Sequence, residues 1–123
     1  MNQADHSQTA LEFLTVSDEE FAAGDHLQAS EKLWGAATHA VMAVANQRGW
    51  ECRSHRAMKN VVRQVAEQYD DELVQGSFAA AEKFHKNFYH DEMEDYEVEA
   101  DRPVVHQFVH RMLSYAEQVA SPS

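Results

Sequence analysis

The sequence contains little that would cross-link the chain or break its helices. A single cysteine, Cys52, stands among 123 residues. No intrachain disulfide can form, and a cytoplasmic location is the expectation. Only two prolines and four glycines interrupt the chain, which leaves long stretches free to be helical. Positive charge is scarce: 10 Lys and Arg face 21 Asp and Glu, a formal net charge of −11. That balance weighs against non-specific nucleic-acid binding, which depends on neutralising phosphates. No apolar run approaches the roughly 18 residues of a membrane span. The opening MNQADHSQ lacks the basic start and apolar segment of a secretion signal. A Gly-rich phosphate loop, a Cys-x-x-Cys pair and a nucleophile elbow are all missing. Nothing calls for a cofactor or a metal.

What remains is a chain with 44% apolar residues, in keeping with a globular fold. It reads as one all-α domain over residues 1–123, with disordered ends at about 1–8 and 120–123. The organising stretch runs from Asp25 to Trp50. At 100° per residue, Leu27, Ser30, Leu33, Trp34, Ala37, Ala40, Val41 and Val44 share one broad face. Gly24-Asp25 supplies a stop and an N-cap, and Gly49 a C-terminal stop. A second stripe, Gln28, Gly35, His39, Met42 and Asn46, is less polar than a solvated face. Glycine inside a helix costs about 1 kcal/mol relative to alanine. Gly35 therefore suggests a close helix–helix contact, such as the seam of a homodimer.

Four further helices are expected. The first runs from about Thr9 to Ala23, although Ser17-x-x-Glu20 has the form of a capping box that could break it. The third follows Ser54, with His55, Met58, Val62, Val65 and Tyr69 on one seam. The fourth begins near Glu72 and places Leu73, Ala81 and Phe84 inside. Seven acids between Asp91 and Asp101 read as an exposed loop. The fifth helix then carries Pro103 in its first turn and runs to about Val119. Short connections predict antiparallel neighbours in an up-and-down bundle of four to five helices.

Chemistry-bearing residues fall in a few groups. Arg48, Arg53, Arg56, Lys59 and Arg63 cluster around the junction of the second and third helices. Arg48 and His55 flank that junction, where an Arg and a His could hold a phosphate and move a proton. His85 and Tyr89 share a face, as do Lys86 and His90. With Asn87, these residues could grip an anionic ligand. His106 and His110 are four apart, a spacing that lets two imidazoles reach one metal, but no zinc motif accompanies them. Arg53 beside Cys52 could lower the thiol pKa.

The segment QASEKLWGAA at Gln28 to Ala37, with Ser54-His55 and FHKNFY at Phe84 to Tyr89, resembles the PaREP-type family. That family resembles a branch of the HEPN superfamily of small helical domains. The resemblance covers about Leu11 to Tyr89. It implies a bundle of four or five helices, commonly dimeric. It also implies one of two activities. Some HEPN-like proteins are metal-independent ribonucleases or toxin–antitoxin components with an Arg-x4–6-His motif. Others are non-catalytic modules that bind RNA, a nucleotide or a partner, in some cases a nucleotidyltransferase-type protein. Lys86 to His90 departs from the motif, with Lys for Arg and one residue too few. Arg48 to His55 has the spacing but sits too early in the bundle. Arg48, His55 and His90 therefore remain only candidates for catalysis. The expectation is a non-catalytic module for a partner protein or a small anionic ligand.

Overall fold

Side-chain caps start four of the five helices in the computed structural model, which describes residues 1–118. The five are α1 (Gln3–Ala22), α2 (His26–Arg48), α3 (His55–Tyr69), α4 (Val74–His90) and α5 (Asp95–Glu117). The described residues contain no strand. None of their helices is long and apolar enough to cross a membrane. Val119 and the expected disordered end at 120–123 lie outside the described residues.

Several boundaries differ from the sequence reading, each for a local reason. Helix α1 begins inside the segment 1–8 expected to be disordered. Asn2 and Asp5 form a reciprocal capping box that starts α1 at Gln3. Ser17 does not break α1; its buried hydroxyl donates to the Ala29 carbonyl at 2.8 Å and ties α1 to α2. Helix α4 starts at Val74, because Asp71 accepts from the Leu73 N–H and holds the turn open. Leu73 is consequently exposed rather than inside. The acidic run is mostly helix. Glu94 and Glu97 form a capping box, and acids in a first helical turn complement the macrodipole. Pro103 therefore lies inside α5, two turns past its start.

Helix α2 touches all four others. Contacts at Ser17–Ala29, Phe13–Gly35 and His6–His39 show that α1 and α2 run antiparallel. Pairing of Lys83 with Asp101, and of Phe78 with Phe108, does the same for α4 and α5. Helix α3 breaks the alternation. Its first residue, His55, meets Trp34, and its last, Tyr69, meets Arg48. It therefore runs in the same sense as α2. The connection 49–54 makes this possible, since six extended residues reach about 20 Å. The core closes around Leu33, Val41, Phe84, Phe108 and Met112, all essentially inaccessible.

The close approach at Gly35 is made within the chain. A Cβ there would sit 2.8 Å from Phe13 Cδ2 and 3.0 Å from Cε2. The Phe13 ring is held edge-on by His39 and carries Lys32 Nζ at 4.6 Å. Gly35→Ala should be close to neutral, because about 1 kcal/mol of helix propensity offsets the push on Phe13. Gly35→Leu overpacks the contact and should cost about 1–3 kcal/mol. Thermal melts of the two variants check this; a Leu variant as stable as wild type would refute it.

Candidate functional site

Trp34 is the centre of the densest polar–aromatic cluster. Its position on the inner face of α2 leaves it 7% exposed. Two imidazoles lie nearly parallel to its indole. His55, from the first turn of α3, has its ring centre 5.5 Å away at 27°. His85, from α4, lies 4.9 Å away at 26°. Phe78 packs at 5.5 Å. Each imidazole is steered by a carboxylate. His55 Nε2 pairs with Glu82 Oε2 at 2.6 Å, and His85 Nδ1 with Glu31 Oε1 at 3.3 Å. The second oxygen of Glu31 is buried without a partner. Tyr89 meets His85 edge-on at 5.4 Å and is largely exposed. The cluster thus joins α2, α3 and α4 through rings whose polar edges reach the surface.

Beside it lies a cationic face. Arg53, Arg56, Lys59 and Arg63 are all exposed, and no acid occurs between Arg53 and Ala66. His55, Arg56, Lys59 and Asn60 line a shallow groove of about 550 Å³. Lys59 Nζ shares Glu82 with His55 at 3.6 Å. Arg56 occupies the first turn of α3, where the macrodipole disfavours a cation and favours an anion.

A family model described as the archaeal PaREP1/PaREP8 family matches residues 5–109. The chain belongs to that family. No curated protein and no solved structure matched the chain.

In this PaREP1/PaREP8 member the sequence candidates are placed as follows. His55 and His85 come together through Trp34. Arg48 does not join them. It sits at the far end of α3, about 21 Å of helix from His55. There it donates to the Tyr69 hydroxyl and the Tyr115 carbonyl, with Trp50 beneath its guanidinium. Tyr69 stacks on Tyr115 at 4.0 Å. This is a clamp between the ends of α2, α3 and α5. Lys86 and His90 are exposed. Asn87 is buried, donating to Ser30 Oγ at 3.1 Å and accepting from Met93 N at 2.7 Å, so it closes the α4–α5 corner. Of the stripe on α2, Gly35 and His39 face α1, Gln28 is exposed, and Met42 is half-buried. His106 pairs with Asp18 at 3.0 Å and His110 is exposed. Among the described residues no three or more His, Cys, Asp or Glu side chains are grouped to hold a metal.

Cys52 differs from the sequence expectation. Burial, and then the Glu51 charge, push its thiol up to about 11, so Arg53 does not activate it. Sequence reasoning missed Trp34, Glu31 and Glu82 as members of one cluster. Glu31 and Trp34 are three apart, as are Glu82 and His85. Each pair therefore shares a helix face. That spacing was the available signal.

Proposed function

We propose that the protein is a non-catalytic, HEPN-like helical module that binds a small phosphate-bearing ligand, of the nucleotide type, on the cationic face of α3. The observation that carries this reading is the acid-free run from Arg53 to Ala66 in a chain of net charge −11. Such a segregated face is the natural seat for an anion. Its groove presents the Arg56 guanidinium and the Asn60 amide, with the His55 imidazole and the Lys59 ammonium that also pair with Glu82, and these are donors matched to phosphate oxygens. Arg48 lies at the opposite end of α3 from His55, and this separation favours binding over ribonuclease chemistry. A homodimer belongs to the same proposal. The stripe at Gly35 lends it no support, because α1 already covers that glycine.

Isothermal titration with ATP at low ionic strength tests the ligand. Lys59→Glu and Arg56→Glu each reverse a charge in the groove and should weaken binding at least about tenfold. Both positions are exposed, so folding should be kept. ATP binding that both variants retain undiminished, or no binding by wild type, would sink the proposal. Light scattering tests the dimer separately against the 14.0 kDa chain mass.

A further inference from the structure

Arg53, the first of the four cations, does not line the α3 groove. It lines a separate cleft between the first turns of α1, the last turns of α2 and the 49–54 connection. We propose that this cleft binds a planar aromatic monoanion, of which an aryl carboxylate is the simplest case.

The cleft encloses about 600 Å³, within the usual range for small-molecule sites. Its apolar side is built from Met42, Ala45 and Trp50. An indole and a thioether are favourable neighbours for a flat ring. Its polar side offers His6, Arg53 and Asn46, whose amide also donates to the Met1 carbonyl. The guanidinium of Arg53 takes part in none of the ion pairs among the described residues and can take a carboxylate in a two-point contact. Glu51 also lines the cleft, but its carboxylate accepts from the Arg53 backbone N–H and is tied to its own loop.

His6 is the unusual member. It comes from α1, is 9% exposed, and its Nδ1 shares a proton with His39 Nδ1 at 2.9 Å. Nε2 is then the nitrogen left for a ligand. Burial, followed by the N-terminal charge, lowers the His6 pKa against a smaller opposing effect of Asp5. Burial and then His6 itself lower that of His39. The pair is therefore neutral at pH 7 and can offer a hydrogen bond without adding charge. Cys52, also on the wall, keeps its proton and does not repel an anion. Arg53 is the one cationic side chain lining the cleft, and set against a flat apolar wall it matches one negative charge on an aromatic ring. The triphosphate-type charge suited to α3 would find only Arg53 here.

The test is a titration of the full chain with 1-naphthoate, followed by amide and indole N–H shifts. Saturable shifts should centre on the Trp50 indole, the Asn46 side-chain amide, Gly49 and Cys52. Arg53→Ala should weaken binding at least about tenfold, whereas the charge-matched Lys86→Ala should not. Uncharged naphthalene-1-carboxamide should bind at least about tenfold more weakly than the acid. Four results would overturn the proposal. They are no saturable shift at millimolar ligand, shifts centred on His55 to Asn60, full affinity in Arg53→Ala, and equal affinity for the carboxamide. None of these bears on ATP binding at Lys59, so the two sites stand or fall separately.

Discussion

Trp34→Ala should destabilise the protein by about 3–5 kcal/mol, the usual cost of truncating a buried aromatic. At this chain length that lowers the melting temperature by about 10–20 °C. The indole fills the space between α2, α3 and α4, and both His55 and His85 stack on it. Its loss leaves a cavity walled by Phe78 and two imidazoles. It also frees His55 and His85 to rotate, so the groove beside Lys59 loses its ordered edge. Trp34→Phe keeps a ring in place and should cost about 1–3 kcal/mol, in proportion to the smaller volume lost. Urea denaturation measures both. The ring protons of His55 and His85, shifted by the indole in wild type, should move towards ordinary positions in Trp34→Ala. The His85 ring protons should stay put in Glu82→Gln, which alters the partner of His55 and not that of His85. A Trp34→Ala variant within about 1 kcal/mol of wild type would mean that the stack does not hold these helices together.

The fold was readable because its information is local. The apolar stripe of α2, its Asp25 cap and its Gly49 stop each depend on residues a few positions apart, and the structure places all three as expected. The Asn2–Asp5 and Glu94–Glu97 boxes were equally local. They were overlooked because a run of polar residues reads as a loop unless each side chain is asked which N–H it caps. The reversed sense of α3 was beyond local reading. Its cause is that residues 49–54 extend back along α2 rather than turn, and only packing against the bundle makes that worthwhile.

The site divides in the same way. His55 and His85 stood out as titratable residues, but their meeting depends on Trp34, which local pattern assigns to the core and nothing more. Arg48 shows the converse. Its spacing to His55 suggested a catalytic pair, because sequence distance across a helix junction is short. In space α3 lies alongside α2, and its full length separates them. An extended junction thus turned a plausible Arg–His pair into a structural clamp on one end and an imidazole stack on the other.

That clamp ends in Asp71, and Asp71→Ala should cost about 2–3 kcal/mol. The Asp71 carboxylate is 6% exposed. It accepts from Arg111 Nη1 at 3.0 and 3.1 Å, from the Tyr115 hydroxyl at 2.6 Å and from the Leu73 N–H at 3.0 Å. Removing it strands three donors at the α3–α4 turn. The Arg111 side chain is 37% exposed and stays partly hydrated, so the cost falls below that of breaking a fully buried pair. Arg111→Ala should cost less, about 1 kcal/mol, since Tyr115 and Leu73 still satisfy the carboxylate. The pH dependence follows from the same contacts. Burial raises the Asp71 pKa, but the hydrogen bonds from Tyr115, Leu73 and Arg111 outweigh it and hold the carboxyl below the usual carboxylate range. A depressed folded pKa gives stability that is present above the unfolded value, about 3.9, and is lost as pH falls through the folded one. Tyr115 behaves oppositely. Burial, then Asp71, push its phenol up to about 12. Its contribution is complete below the unfolded pKa, about 10, and is lost as pH rises towards the folded value. The stability gap between wild type and Asp71→Ala should therefore be widest between about pH 5 and pH 9 and narrow on both sides. Urea midpoints across that range provide the measurement. A gap that persists unchanged at pH 2.5 would show that the charge of Asp71 contributes nothing, leaving shape alone as its role.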